Sequence, residues 1–154
     1  MKLYLMRHGE ALSSQQDPER GLSENGKEMI TRLAQQLVNE NIHFKHIFHS
    51  GKKRTRETAE IVAAATSPDI TPQKIDDITP NSDPVMVIDE IESWDEDTLL
   101  VSHLPFIPNL INMLTSQNIL TSSISFEPGT IIALEQNSTG IWKITWSTSP
   151  SELT

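Results

Sequence analysis

The sequence predicts an α/β fold, namely a three-layer α/β/α sandwich around a mostly parallel central sheet with a C-terminal antiparallel edge hairpin. Two observations lead to this prediction. Short apolar segments of strand type alternate with longer segments whose apolar residues recur at helical spacing, which is typical of a parallel sheet covered by helices on both faces. Near the C-terminus, two strand-like segments follow one another through a tight turn, which predicts the hairpin.

The composition is that of one folded domain. A chain of 154 residues is long enough to bury a core, so we expect residues 1–154 to form a single domain. The chain contains no cysteine, which excludes disulfides and thiol chemistry. No apolar run approaches the roughly 18 residues of a membrane span. No signal-peptide pattern precedes the first strand, so we expect a cytoplasmic protein without a membrane partner. We also expect this protein to be a monomer.

The charge is unevenly distributed along the chain. The net charge of −9 argues against nucleic-acid binding. Residues 1–56 hold 10 Lys or Arg and 6 Asp or Glu, whereas residues 57–154 hold 2 and 15. Cations gathered beside the first two strands can attract an anionic substrate. Solvated helix faces give the same asymmetry, so the charge distribution by itself does not decide between the two interpretations.

The first half of the chain predicts two strands, each followed by a helix. The strands are Leu3–Met6 and His46–His49, and the helices cover 23–40 and 52–65. Ser23 is the predicted N-cap of the first helix, whose apolar residues recur every three to four positions.

The second half predicts shorter elements around one further buried strand. In chain order they are a brief strand around 73–75, a short helix over 85–91, an exposed acidic turn at 94–97, a strand at Thr98–Val101, a helix that begins near Pro105 and Pro108, and strands at Thr130–Leu134 and Ile141–Trp146. Both prolines suit only the first turn of that helix, because N–H groups there need no intrahelical partner.

The second helix begins with an unusual concentration of cations. Lys52, Lys53, Arg54 and Arg56 occupy its first turns, where positive charge opposes the helix dipole at a cost of a few tenths of a kcal/mol each. This arrangement indicates that an anion binds there. Arg54 and Arg56 lie two positions apart and point to different sides of the helix, so not all four cations can contact it.

Three predicted strands end in residues that suit phosphate. The first strand is followed by Arg7-His8-Gly9, the second by Ser50 with Arg54 one turn into the next helix, and the third by Ser102-His103. Ligands of parallel sheets bind outside the carboxyl ends of the strands. We therefore expect two guanidiniums and two imidazoles to surround a tetrahedral anion.

Two other motifs invite different interpretations. Residues 21–28 match a P-loop except that Glu28 stands where a Ser or Thr would hold magnesium, and the glycines fall at a helix start, which argues against nucleotide binding. His43, His46 and His49 are spaced by three, which places neighbouring histidines on opposite faces of a strand. We expect neither a metal site nor a cofactor.

These motifs together resemble the histidine phosphatase superfamily. Its Arg-His-Gly signature is matched at residues 7–9, its Ser-x-x-x-Arg-x-x-x-Thr pattern by Ser50, Arg54 and Thr58, and its later Ser-His by residues 102–103. The small size and the segments 20–23 and 102–105 look most like the SixA-type phosphohistidine phosphatases, so the resemblance implies a phosphoglycerate mutase-like fold. Gly51 departs from the pattern, since proline is common at this position.

The resemblance implies a role for each of these residues. His8 is the nucleophile that becomes phosphorylated, and Arg7 and Arg54 clamp the phosphoryl oxygens without a metal. His103 is a further donor to those oxygens, and Arg20 is expected to reach the rim of the pocket as a substrate-binding residue. For His8 to attack, one ring nitrogen must be unprotonated while the other is held by a nearby carbonyl.

The substrate is predicted from a residue that the chain lacks. Larger members of the superfamily carry a general acid in an inserted segment, and only Asp76 or Asp77 lies in the corresponding region here. A phosphoramidate needs less protonation of its leaving group than an ester. The predicted substrate is therefore phosphohistidine on a protein of a phosphorelay, that is, in signal transduction. Two alternatives remain open, a small-molecule phosphomonoesterase and a catalytically inert module that binds phosphorylated ligands.

Overall fold

A mixed six-stranded sheet with four α-helices makes up the described part of the chain, residues 1–116 and 124–153 of a computed structural model. The strands are β1 Lys2–Arg7, β2 His46–His49, β3 Gln73–Lys74, β4 Thr98–Ser102, β5 Ile131–Gln136 and β6 Trp142–Thr148. The helices are α1 Glu24–Asn39, α2 Lys53–Thr66, α3 Val85–Ser93 and α4 Phe106–Thr115, and a short 3₁₀ helix covers Pro150–Glu152.

The strand order confirms the predicted sheet. The order is β3-β2-β4-β1-β5-β6, with parallel pairing from β3 to β1 and antiparallel pairing of β5 and β6 at the other edge. In the β1–β4 register, Arg7 lies opposite Ser102. The ends of β1, β2 and β4 therefore meet at one edge of the sheet, called the carboxyl edge below.

The sheet separates two apolar cores, as a three-layer sandwich requires. Successive side chains of a strand point to opposite faces, and Tyr4 and Met6 of β1 pack against α1 and α2, whereas Leu3 and Leu5 belong to the core that includes α3 and α4. All four of these side chains are at most 4% exposed. Because β1 is packed on both faces, it holds the residues that follow it in a fixed position.

The start of α1 has the geometry of a helix cap rather than of a phosphate loop. Ser23 is the N-cap, and its Oγ accepts the N–H of Gly26 at 2.9 Å. A Cβ on Gly26 would lie 2.2 Å from the carbonyl oxygen of Glu10, so glycine is needed here for close packing of α1 on the loop after β1. The glycines that mimic a P-loop thus have a structural explanation.

Predicted and observed boundaries differ by a few residues. α2 begins at Lys53 and ends at Thr66, α3 continues to Ser93, and β6 extends to Thr148, all within the usual uncertainty of helix and strand ends. No helix among residues 1–116 and 124–153 is both long enough and apolar enough to cross a membrane.

Candidate active site

Backbone hydrogen bonds fix the segment after β1 at the carboxyl edge. The His8 N–H donates to the carbonyl of Ser102 at 3.1 Å, which joins it to the end of β4. The Gly9 N–H donates to Thr58 Oγ1 at 3.0 Å, and Thr58 Oγ1 donates to the carbonyl of Arg54 at 2.8 Å. The ends of β1 and β4 and the first turns of α2 therefore form one connected structure.

The contacts of His8 leave one ring nitrogen unprotonated. Nδ1 lies 2.7 Å from the carbonyl oxygen of Gly9, and because a carbonyl only accepts, Nδ1 carries the proton. Nε2 then holds a free lone pair. Burial, with smaller contributions from the charges of Arg54, Arg7 and Arg20, lowers the pKa of His8 from 6.5 to about 4, against the opposing effect of the Gly9 hydrogen bond. His8 is therefore neutral at pH 7.

Arg7 and Arg54 bring positive charge to the same place. Arg7 is half-buried and its Nη1 donates to the carbonyl of Phe126 at 2.6 Å. Burial lowers the pKa of both guanidiniums, and the charge of Arg20 lowers that of Arg54 further. In the described part of the chain, no carboxylate lies within 4.0 Å of these three arginines.

His103 lies beside His8 on the adjacent strand end. The two ring centroids are 5.3 Å apart at an interplanar angle of 61°, and His103 is only 1% exposed. Its Nε2 lies 2.7 Å from Ser50 Oγ, at the end of β2. Burial, followed by the charges of Arg54, His8, Lys52 and Arg20, lowers the pKa of His103 to about 3.

Two buried side-chain nitrogens at this site lack a hydrogen-bond partner. They are Nε of Arg7 and Nδ1 of His103, and they are the only such buried side-chain atoms in residues 1–116 and 124–153. Leaving a buried polar atom unpaired typically costs about 1–3 kcal/mol. Unpaired buried polar atoms on two residues of one site are the pattern expected where a polar ligand binds.

Arg20 is exposed, and its loop is held by contacts that the sequence did not indicate. Its backbone adopts a left-handed conformation with φ of 52°, and its Nε donates to the carbonyl of Leu12 at 3.1 Å. The Asp17 carboxylate accepts the N–H of Gly21 at 2.9 Å and the Nζ–H of Lys53 at 3.0 Å. The ion pair between Asp17 and Lys53 ties the Arg20 loop to α2. The charge of Arg20 is then close enough to His8 and His103 to lower the pKa of each.

The remaining candidate residues are exposed. Asp76 and Asp77 form no hydrogen bond or ion pair with His8 or His103 in the described structure, although the neighbouring Ile78 carbonyl accepts the Ser102 hydroxyl at 2.5 Å. Arg56 is exposed and pairs with Glu60 at 3.6 Å.

The three histidines of the second strand region do not converge. His43 contacts the carbonyl of Thr66, His46 pairs with Glu96, and His49 is buried. Across the ranges 1–116 and 124–153, no group of three or more His, Asp or Glu side chains is arranged to hold a metal ion.

The comparison with known families supports a phosphatase. Residues 3–78 match the model of the histidine phosphatase superfamily, branch 1, and the chain belongs to that superfamily. An uncharacterized protein of Picosynechococcus sp. is 34% identical over an alignment of 113 residues, which covers 68% of this chain and 67% of the relative.

Solved structures of two phosphatases share the fold over almost the whole chain. The protein histidine phosphatase SixA, complexed with tungstate, superimposes with a TM-score of 0.86 at 24% identity and covers 100% of both chains. A phosphoserine phosphatase of Entamoeba histolytica, in complex with phosphoserine, superimposes with a TM-score of 0.76 at 17% identity and covers 99% of both chains.

Proposed function

We propose that this protein is a phosphohistidine phosphatase that acts on a phosphorylated protein through a covalent phosphohistidine intermediate at His8. The observation that carries the proposal is a neutral imidazole with its Nε2 lone pair free that lies beside a second imidazole and feels the charges of Arg7 and Arg54, while no carboxylate of the described residues lies within 4.0 Å of either guanidinium. The fold shared with the protein histidine phosphatase SixA supports the choice of substrate.

The proposed chemistry has two steps. In the first, His8 Nε2 attacks phosphorus, a P–N bond to His8 forms, and the P–N bond to the substrate imidazole breaks. In the second, water attacks the phosphorylated His8, releasing phosphate and restoring the imidazole. Arg7 and Arg54 bind the phosphoryl oxygens in bidentate fashion and stabilise the charge that a metal ion stabilises in kinases. His103 donates to the same oxygens, and Arg20 contacts the substrate at the rim.

The substrate class follows from the leaving group. An alkoxide released from a phosphate ester needs a proton, and within the described part of the chain the exposed Asp76 and Asp77 form no hydrogen bond with His8 or His103. When the phosphorylated ring of the substrate is protonated on its other nitrogen, it leaves as neutral imidazole, which is a much weaker base than an alkoxide. The reaction therefore needs less help from a general acid.

The substrate assignment is tested by comparing two kinds of substrate. Purified enzyme is expected to hydrolyse a phosphohistidine-containing protein at least about a hundredfold faster than common phosphomonoesters, because general acid catalysis, typically worth 10²–10⁴-fold, is absent for the ester. Initial rates of phosphate release at equal substrate concentration measure the ratio. Faster turnover of the esters would overturn the assignment.

A second candidate is a small-molecule phosphomonoesterase that uses Asp76 or Asp77 as its acid. The fold shared with the Entamoeba phosphoserine phosphatase favours it. In that case Asp77→Ala or Asp76→Ala lowers ester hydrolysis by about a hundredfold. Under the proposal, both variants hydrolyse esters and phosphohistidine at the rates of the unmodified protein.

The pH dependence of His8 is a further prediction. Because burial and the guanidiniums lower its pKa, the imidazole is expected to titrate in the folded protein with a midpoint of about 4 rather than 6.5. The neutral nucleophile then persists as the pH falls and is lost only below that midpoint. ¹⁵N NMR of the His8 ring measures it, with Arg54→Ala expected to raise the midpoint and Arg56→Ala to leave it unchanged. A midpoint near 6.5 in the unmodified protein contradicts the prediction.

We further infer that residues 1–154 form a single catalytic domain that needs no metal or other cofactor. The protein acts as a cytoplasmic monomer in signal transduction, where its partner is the phosphorylated domain of a phosphorelay protein. The concentration of cations in the first third of an otherwise acidic chain supports a phosphorylated partner rather than a nucleic acid.

A further inference from the structure

A short chain of hydroxyl groups connects His103 to the start of α2. His103 Nε2 lies 2.7 Å from Ser50 Oγ, Ser50 Oγ lies 3.0 Å from Thr55 Oγ1, and Thr55 Oγ1 lies 2.7 Å from the carbonyl oxygen of Lys52. His103, Ser50 and Thr55 are each at most 4% exposed. We call Ser50 and Thr55, with these three contacts, the hydroxyl chain.

Only one direction of proton donation makes all three contacts hydrogen bonds. The Lys52 carbonyl can only accept, so the single hydroxyl proton of Thr55 is donated to it. The contact between the hydroxyls then requires Ser50 to donate to Thr55. Ser50 has no second proton, so it must accept from His103, whose Nε2 is therefore protonated. Nδ1 of neutral His103 is left with a bare lone pair.

The tautomer of His103 with its proton on Nε2 is favourable in the ligand-free protein but unfavourable when an anion is bound. Burial and the positive charges of Arg54, Lys52 and Arg20 lower the pKa of His103, so the ligand-free ring stays neutral and keeps its lone pair at Nδ1. In the proposed role of His103, a phosphoryl oxygen contacts Nδ1, the ring nitrogen that has no hydrogen-bond partner in the described residues. A lone pair there repels the oxygen, so the contact requires a proton at Nδ1. His103 must therefore gain a proton at Nδ1 when an oxyanion binds.

Two routes to that proton differ greatly in cost. Protonation of the ring to an imidazolium starts from a pKa of about 3, so at neutral pH the anion must supply a factor of about 10⁴. Reversal of the hydroxyl chain moves the ring proton from Nε2 to Nδ1 with no net uptake and breaks only the Thr55–Lys52 hydrogen bond. Its cost corresponds to a factor of about ten or less, and the Lys52 carbonyl still accepts the N–H groups of Thr55 and Arg56.

We propose that Ser50 is a positioning residue whose hydroxyl reverses its hydrogen bond when an oxyanion binds, so that neutral His103 changes tautomer and donates from Nδ1. In the bound state Thr55 donates to Ser50, and Ser50 donates to Nε2 of His103. The inference rests on the proposed role of His103 as a donor to the phosphoryl oxygens. Ser50 acts through His103 and needs no contact with the substrate.

The tautomer itself is the direct test. ¹⁵N NMR of the His103 ring, without and with saturating molybdate as a tetrahedral oxyanion, is expected to show the proton on Nε2 in the free protein and on Nδ1 in the complex. The ring stays neutral in both states at neutral pH. An Nδ1–H tautomer already present without molybdate, or an imidazolium in the complex, overturns the proposal.

Variants of the hydroxyl chain provide a second test, because the chain holds the ligand-free ring in the tautomer that an anion does not favour. Thr55→Val removes the acceptor that competes for the Ser50 proton, so molybdate is expected to bind about threefold to tenfold more tightly. Ser50→Ala removes the Nε2 hydrogen bond from both the free and the bound protein and leaves the Thr55–Lys52 bond intact, so binding is expected to be unchanged or tighter. Thr55→Ser keeps the hydroxyl and is the matched control, with affinity near that of the unmodified protein. Binding by Thr55→Val that is no tighter than that by Thr55→Ser, or weaker binding by Ser50→Ala, overturns the proposal.

These results separate the inference from the proposed function. Turnover that depends on His8, combined with an unchanged His103 tautomer, contradicts the inference and leaves the phosphatase assignment intact. A tautomer change on molybdate binding without any turnover contradicts the assignment and leaves the hydroxyl chain as an oxyanion-binding device.

Discussion

His8→Ala is expected to lower turnover of a phosphohistidine protein by about a thousandfold or more, because the variant cannot form the phosphorylated enzyme and loses the covalent route. Brief exposure of the unmodified protein to a labelled phosphodonor, followed by mapping of acid-labile phosphate, is expected to place the label on His8. The variant should carry no such label.

The matched control for this experiment is His46→Ala. His46 is exposed, pairs with Glu96 3.3 Å away and stacks on Phe48, so its removal is expected to leave turnover and labelling unchanged. An inert module that binds phosphorylated ligands gives a different pattern, since the unmodified protein then shows no turnover and His8→Ala retains most of the affinity. Equal turnover in His8→Ala and the unmodified protein would exclude His8 as the nucleophile.

Arg54→Ala is expected to lower turnover by about 10²–10³-fold, the usual effect of removing one donor to a developing negative charge. Arg54→Lys keeps the charge but loses the bidentate geometry, so it should recover only part of the rate. Initial rates with a phosphohistidine protein measure both variants. Arg56→Ala, on the same helix but exposed and paired with Glu60, is the control and should be close to unmodified.

Thermal unfolding shows whether the Arg54 effect is functional or structural. In the unliganded protein Arg54 has no carboxylate partner in the described structure, and its pKa is lowered by burial and by the charge of Arg20. Removing it is therefore expected to leave Tm unchanged or raise it while turnover falls, the trade-off found at sites held in an unfavourable charge state. A large fall in Tm would assign the loss of activity to unfolding.

The sequence by itself determined the order and type of the elements that form the sheet. Apolar runs such as Leu3–Met6 and Thr98–Val101 predict strands buried on both faces, and the spacing of apolar residues after Ser23 predicts α1. These features depend on interactions between residues close in the chain. Because parallel strands end at the same edge, the order of the motifs also predicted that the segments after β1, β2 and β4 lie together.

Only the tertiary structure decided how these side chains are held. The Nδ1 contact of His8 with Gly9 was expected as a type of interaction, but the Ser50–His103 contact, the Asp17–Lys53 ion pair behind Arg20 and the carbonyl of Phe126 that binds Arg7 join residues 36 to 119 positions apart. The local pattern of a sequence carries no signal for such contacts, because they depend on strand register and on how α2 packs against the sheet. The sequence thus predicted which residues lie at the carboxyl edge, and the packing determined which of their atoms are hydrogen-bonded and which are unpaired.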